Sequence, residues 1–292
     1  MSILCDRNTR LIVQGMTGRS GTFYTDQAMT YGTDVVGGVR PGKGGRKHIG
    51  RPVFDSVRDA MTETGANATM VMVPAHNAAA AMIEAIEAEM PLIVCVTERI
   101  PVLDMIRVKD ALKGSNSELV GPNSQGVLTP GQCKIGVMST ADAKPGNIGV
   151  ASRSASLTSE VVAGLSAIGL GQSTTVGIGG DPVHGTGFTR CLELFMDDPD
   201  TCGVVLIGEI GGNEEEQAAA YLKAARTAKP VVSLVVGRHA PPQRRMGHAG
   251  TLSVFGSGNA ATKNAALKSA GVCVVQNVDD VAQAMAGCVA AA

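Results

Sequence analysis

Apolar residues along this chain gather into short runs, and stretches of helical periodicity separate them, with Gly or Pro marking most of the changes. That alternation is the signature of βαβ units and a parallel sheet. In the first half the expected strands are Leu11–Gln14, Asp34–Gly38, Thr69–Val73, Leu92–Val96 and Leu119–Val120. Between them, Ser56-Val57-Arg58-Asp59 reads as a capping box opening a helix that Gly65 can close, and Asn77 is expected to cap an Ala-rich helix ending before Pro91. Five strands with intervening helices predict a Rossmann-like domain.

After Gly126 the periodicity fades. Thr129-Pro130-Gly131 and Lys144-Pro145-Gly146 frame what reads as a linker, which places a domain boundary near residue 128. A second alternation follows, with strands expected at Ile148–Ala151, Thr174–Ile178, Val204–Ile207, Val231–Val236 and Val272–Val275 and helices starting near Ser156, Phe188, Glu214, Ala260 and Val278. The predicted fold class is α/β throughout: a Rossmann-like domain over residues 1–127, then a flavodoxin-like doubly wound domain over residues 128–292.

A length of 292 residues agrees with two domains of about 100–200 residues each. The formal net charge of −1, with 17% charged residues, lacks the basic footprint of a nucleic-acid binder or a polybasic membrane anchor, so a small-molecule partner is expected. Seven cysteines (Cys5, Cys95, Cys133, Cys191, Cys202, Cys273 and Cys288) include no CxxC pair and mostly sit in or beside apolar runs, which fits a reducing compartment. No apolar run approaches the roughly 20 residues of a membrane span, and the first residues carry no charged leader and cleavage site. A soluble, unprocessed cytoplasmic protein is the expectation.

The first candidate site follows the first strand. Gly15-Met16-Thr17-Gly18-Arg19-Ser20-Gly21 is a GxxGxxG turn that enters a helix through Thr22, where glycines allow close backbone approach and free N–H groups face a phosphate. A dehydrogenase would carry Asp or Glu at the end of the second strand for the ribose hydroxyls. Here that strand runs into Val39-Arg40-Pro41-Gly42-Lys43. Arg40 and Lys43 instead suit a nucleotide with an extra phosphate near its ribose, as CoA and NADP have. Gly37, Gly42 and Lys43 also satisfy most of a P-loop, but Gly44 stands where Ser or Thr would hold Mg²⁺ and Pro41 removes an N–H, so no ATP site is expected.

The second candidate centres on His248, in Arg244-Arg245-Met246-Gly247-His248-Ala249-Gly250-Thr251, a loop leaving the carboxyl end of a strand. Flanked by small residues and close to arginines, it is suited to meet phosphate as a general acid or a nucleophile. Glu209, in Gly208-Glu209-Ile210-Gly211-Gly212 after another strand, can accept from one ring nitrogen and leave the other to attack, though it also fits an exposed loop acid. Ser152-Arg153-Ser154-Ala155-Ser156-Leu157-Thr158 opens a helix with hydroxyls and N–H groups able to hold an anion, which nominates Ser154, Ala155 and Ser156. His48, His76 and His239 read as ordinary loop or surface histidines.

In this order the motifs resemble the alpha subunits of the succinyl-CoA synthetase family over nearly the whole chain. The carrying stretches include Gln14-Gly15 to Thr22-Phe23, Gly37-Gly38-Val39 to Gly45, Gly121-Pro122-Asn123, Gly177-Ile178-Gly179-Gly180-Asp181-Pro182 and Arg245 to Gly250. The resemblance implies that the first domain binds CoA, with Pro74, Val96, Glu98 and Asn123 joining the turn residues. It implies that His248 is transiently phosphorylated with support from Glu209. It further implies a heterodimer or heterotetramer with an ATP-grasp beta subunit that supplies NTP and Mg²⁺, this chain holding no metal. Two departures stand out: Ser124-Gln125 replaces the family's Cys-Pro after Gly-Pro-Asn, and Ala155-Ser156 replaces Gly-Thr. Ser124 and Gln125 suggest a small dicarboxylate more polar than succinate, such as a hydroxylated one. A CoA-binding regulatory paralogue and an NADP oxidoreductase are the competing readings; retention of His248 with Glu209 argues against the first, and the lack of a hydride-transfer acid against the second.

Overall fold

The computed structural model describes residues 2–225, 229–241, 244–252 and 258–291. They form two compact units. One runs from Leu4 to Met138 and takes in Val183–Thr186; the other is built from Ser139–Pro182 and the described residues from Gly187 onward, tied to the N-terminus by the Ile3 N–H donating to Thr174 Oγ1 at 3.3 Å.

In the first unit the elements run β1 (Arg10–Gln14), α1 (Arg19–Tyr31), β2 (Asp34–Val39), β3 (Arg46–His48), β4 (Arg51–Phe54), α2 (Val57–Thr64), β5 (Ala68–Val71), α3 (Ala75–Glu87), β6 (Leu92–Cys95), α4 (Val102–Leu112), β7 (Glu118–Val120), β8 (Gly126–Thr129) and β9 (Cys133–Gly136). The sheet order is β3-β4-β2-β1-β5-β6-β7. All neighbours are parallel except the β3–β4 edge pair. With that edge strand set aside, the order is the 3-2-1-4-5-6 of a dinucleotide-binding sheet. Ile12, Val39, Val71 and Ile93 from the strands meet Met82, Ile86 and Met105 from the helices in one aliphatic core. The Ser56 cap is realised, its hydroxyl accepting from the Asp59 N–H, and Gly65 closes α2 in the left-handed conformation.

Three sequence expectations need correction. β3 and β4 went unforeseen. The helix assigned to an Asn77 cap starts at Ala75, with Pro74 as the N-cap residue and no side-chain cap, which leaves Asn77 inside the first turn. The stretch expected as a linker holds an antiparallel hairpin, β8 with β9, in register from Gly126↔Gly136 to Thr129↔Cys133. The compact unit that holds this hairpin extends from Leu4 to Met138.

The second unit runs β10 (Pro145–Ser152), α5 (Ala155–Ala167), β11 (Gln172–Gly177), α6 (Phe188–Asp197), β12 (Gly203–Glu209), α7 (Glu214–Ala225), β13 (Val231–Val236), α8 (Ala260–Ser269), β14 (Cys273–Val275) and α9 (Asp280–Ala291). Its strands are parallel in the order β14-β13-β12-β10-β11, the flavodoxin-like arrangement. Ile148, Val150, Val205, Ile207 and Val232 pack on Val161, Leu165, Val281 and Met285. Both sheets reverse direction of growth beside their first strand, and such switch points open a crevice at the carboxyl strand ends.

The glycine turn after β1 is set by packing as much as by ligand. Gly15 holds φ +94°, and a Cβ on Gly21 would lie 2.1 Å from the Gly15 carbonyl oxygen. Gly21→Ala is therefore expected to cost about 1–3 kcal/mol by overpacking backbone against backbone, read as a lowered midpoint in urea unfolding; unchanged stability would show that the turn can relax.

Candidate active site

At the switch point of the second sheet, β10 ends at Ser152 and its neighbour β12 ends at Glu209. Glu209 is not a loop acid: it is the last residue of a strand, and its side chain is only 7% exposed. Its Oε2 lies 2.7 Å from His248 Nδ1 and its Oε1 accepts from Arg153 Nε at 3.1 Å. With Glu209 as the acceptor of this contact, the neutral tautomer that satisfies the geometry carries its proton on Nδ1. Nε2 is then left with its lone pair.

The imidazole is held on its other side too. A Cβ on Gly180 would come within 2.4 Å of the ring, so the side-chain-free backbone of Gly180 provides the surface on which the ring lies. The loop bearing His248 closes on Thr251, whose hydroxyl donates toward the Met246 and His248 carbonyl oxygens at 2.6 and 2.7 Å. Gly211, at φ +92°, faces the Gly250 carbonyl, and a Cβ there would lie 1.9 Å from that oxygen. His248 itself remains 34% exposed. It is a half-open, oriented imidazole on a loop with its partner on a rigid strand.

The hydrogen bond to Glu209 raises the pKa of His248, with support from the Glu209 and Asp181 charges and against burial and the nearby Arg153 guanidinium. Arg153, which sequence reading mentioned without nominating, organises the cluster. Besides Glu209 it donates through Nη1 to Glu214 Oε2 at 3.4 Å and through Nη2 to the Asp181 carbonyl at 3.2 Å. Its neighbour Ser154 caps α5, the hydroxyl accepting from the Leu157 N–H, while Ala155 and Ser156 are exposed in the first turn. That helix start is positioned to receive an anion.

In the first unit a pocket of about 590 Å³ opens at the carboxyl ends of β1, β2 and β5. Of the residues nominated from sequence, Gly15, Thr17, Gly18, Val39, Arg40 and Pro74 line it. Gly18 begins α1 with no side-chain cap, leaving the first-turn N–H groups of exposed Arg19 and Ser20 for a ligand. Arg40 Nη1 donates to Thr17 Oγ1 at 2.6 Å, which fixes a cation over the turn. Gly21 is a packing residue instead. Lys43, Val96, Glu98 and Asn123 lie outside the pocket lining: the Lys43 N–H donates to Asp55, the Val96 N–H to the Val71 carbonyl and the Asn123 N–H to the Thr97 carbonyl, and Glu98 is exposed beside Arg99. Met72, Asn77, Ala81 and Glu84 line the pocket without having been nominated, since only the docking of α3 over β5 brings them there. Ser124 and Gln125 are both buried, and the Ser124 hydroxyl accepts from the Gly126 N–H at 2.8 Å.

Comparison with known proteins fits these two sites. Residues 6–99 match the CoA binding domain family and residues 151–273 the CoA-ligase family. The chain is 48% identical over 288 residues to the succinate–CoA ligase [ADP-forming] alpha subunit of Aquifex aeolicus (strain VF5), covering 98% of this chain and 94% of that one. It is 50% identical to the corresponding subunit of Staphylococcus aureus (strain Mu50), over 93% of this chain and 90% of that one. The chain belongs to the succinate–CoA ligase alpha-subunit family. It is thus the CoA-binding alpha subunit of an NDP-forming acid–thiol ligase, and an alpha subunit of this family has a beta partner. In fold it also resembles the ATP citrate lyase of Methanothrix soehngenii solved with citrate and coenzyme A, at a TM-score of 0.87 and 23% identity, spanning 98% of this chain and 51% of that one. No helix among the described residues is long and apolar enough to cross a membrane.

The raised His248 pKa makes a pH prediction. If Nε2 acts as a nucleophile it does so unprotonated, and a raised pKa extends the protonated form to higher pH. The acid limb of the pH–rate profile is expected to have its midpoint above the ordinary imidazole value of about 6.5, and Glu209→Gln should move it down while lowering the plateau. A midpoint indifferent to Glu209→Gln would remove Glu209 as the cause.

Proposed function

We propose that His248 is the phosphoryl carrier of an acid–CoA ligase whose acid is succinate or a close dicarboxylate. The observation that carries this reading is the 2.7 Å contact between Nδ1 of a partly exposed His248 and a buried Glu209, which in the neutral ring leaves the lone pair on Nε2. In the ligase direction, Nε2 attacks the terminal phosphorus of NTP. A P–N bond forms as the P–O bond to NDP breaks, and Glu209 balances the positive charge left on the ring. The substrate carboxylate then attacks the same phosphorus, breaking P–N and giving an acyl phosphate. The CoA thiolate attacks the acyl carbon, releasing inorganic phosphate. Dividing the reaction through a covalent phosphohistidine replaces one difficult transfer with easier ones. During its residence the phosphoryl group would be held by the first-turn N–H groups of Ala155 and Ser156 with the Ser154 hydroxyl beside them, since the Ser154 N–H already donates to Ser152 Oγ.

CoA is assigned to the pocket after β1, with its phosphates on the turn Gly15–Ser20 and Arg40 as the fixed cation. Lys43 on the following loop, and Val96, Glu98 and Asn123 on the loops after β6 and β7, are assigned to the extended remainder of the ligand. The NTP and its Mg²⁺ belong to an ATP-grasp beta subunit, in a heterodimer or heterotetramer working in the cytoplasm. The relatives' names favour succinate as the acid and ADP as the nucleotide product. A more polar dicarboxylate is the second reading, favoured by Gln125, a buried amide where the family carries proline.

Three measurements test this reading. With partner, Mg²⁺ and NTP, mass spectrometry under alkaline conditions should find phosphate on His248 and none in His248→Asn; phosphate retained in the variant sinks the assignment. Arg40→Ala should weaken CoA by about 1.5–3 kcal/mol, the range of a charge-assisted contact, and dephospho-CoA by less; equal losses would remove Arg40 from the ribose phosphate. For the acid, kcat/KM for succinate and malate in the native pair and in a Ser124→Cys plus Gln125→Pro variant decides between the two readings. A succinate preference unchanged by the variant leaves those residues with a purely structural role.

A further inference from the structure

Beneath the strand end that carries Glu209 lies an ion pair that the reaction chemistry does not touch. Glu215 is 1% exposed and Lys263 is fully buried, on α7 and α8 respectively. Lys263 Nζ donates to Glu215 Oε2, with Glu216 Oε2 as a second carboxylate at 3.6 Å. The other oxygen of Glu215 accepts the backbone N–H of Glu209 at 3.0 Å. Space for this contact is made by Gly208, where a Cβ would lie 2.3 Å from Glu215 Oε1. Breaking a buried pair on one side strands an unpaired charge, whereas replacing both partners by apolar residues of similar volume is often neutral. A purely stabilising role would therefore not require the pair at all, and its use of one carboxylate oxygen on the Glu209 backbone points to a local task.

We infer that Glu215 and Lys263 are positioning residues for phosphoryl transfer: Glu215 fixes the Glu209 backbone through its N–H, and Lys263 holds the Glu215 carboxylate in place, so that the Glu209 side chain stays aimed at His248 Nδ1. The inference rests on the phosphohistidine reading of His248. Its physical basis is a lever. Glu209 is the last residue of β12, and beyond it the chain turns through Gly211 at φ +92° and Gly212 at φ +59° into α7. The next residue is paired to β13 through the Ile210 N–H and the Val236 carbonyl at 3.1 Å, while the N–H of Glu209 itself donates to Glu215 of α7, its one partner among the described contacts. The contact to be maintained is a single 2.7 Å hydrogen bond at the end of that side chain. A misplacement of about 1 Å in such an arrangement can cost on the order of 100-fold in rate. Burial raises the Glu215 pKa and Lys263 opposes that, in keeping with a cation placed to preserve the accepting form.

Two double variants separate positioning from packing. Glu215→Gln with Lys263→Met removes both charges but keeps an amide oxygen that can accept the Glu209 N–H. Glu215→Leu with Lys263→Met removes the charges and the acceptor together. The His248 ring, faced by Glu209 from β12, Arg153 from the β10–α5 connection and Asp181 after β11, is titrated by NMR in the full chain with labelled histidine. This readout requires no phosphorylation and so stands apart from failure of the carrier assignment, which the mass spectrometry above detects. The Gln/Met variant should keep the parent midpoint. The Leu/Met variant should move it toward the ordinary imidazole value, and in the assembled enzyme its phosphorylation rate should fall by up to about 100-fold with the KM for CoA unchanged. Gly208→Ala, which displaces the Glu215 oxygen without altering any charge, should act like the Leu/Met variant if that pair does not fold. A His248 midpoint unchanged in the Leu/Met variant or in Gly208→Ala overturns the inference, as does an equal loss in the Gln/Met and Leu/Met variants.

Discussion

The carboxylate of Glu209 is the group on which the active region depends. Removing an ionised carboxylate from water costs several kcal/mol unless its lone pairs are satisfied, and here each oxygen has a fixed cationic or N–H partner. Arg153 takes one and His248 the other. Satisfying a buried carboxylate and orienting the His248 ring are therefore one arrangement. Arg153 is itself 7% exposed and shares its guanidinium among Glu209, Glu214 and the Asp181 carbonyl, so its geometry is as constrained as the carboxylate it serves. Because those three contacts come from β12, α7 and the segment after β11, several elements of the second unit converge on one side chain.

The two units place their candidate sites in the same way. Each lies at the carboxyl ends of a parallel sheet, beside the point where strand order reverses, and a helix starts there: α1 after β1, and α5 after β10. They differ in what surrounds the helix start. The first has a Gly cap and a lining of small residues suited to an extended ligand. The second has a Ser cap and a network of buried charge suited to a compact phosphoryl group. Glycine serves both by admitting other parts of the protein: Gly15 and Gly21 let backbone approach backbone in the turn after β1, and Gly180 admits the imidazole ring of His248.

Much of this was legible in the amino-acid sequence. All ten expected strands form, nine of them with both ends within two residues of those assigned, because a buried parallel strand must be apolar on both faces and leaves a continuous run that no other element needs. The turn at Gly15, the capped helix at Ser56, the histidine among glycines and the hydroxyl-rich start of α5 were equally visible, since each depends on a local backbone requirement that only a few residue types meet. By contrast β3, with the sequence Arg46-Lys47-His48, has no apolar alternation to betray it and exists only because β4 offers it an antiparallel edge.

What the sequence determined, then, was the order of elements, the fold class and the identity of the groups able to do chemistry. What only the tertiary structure decided was which charges are buried and which of them meet. Glu215 stands among Glu214 and Glu216 at the start of a helix, and Lys263 lies in the polar stretch Thr262-Lys263-Asn264; both sequence contexts read as solvated. Their burial arises from the packing of α7 against α8 on one side of a sheet, a contact between residues 48 apart along the chain. Local sequence sets backbone preference over a few residues at a time. The environment of a charge is set by whatever distant segment packs over it, and that is fixed only when the whole domain has closed.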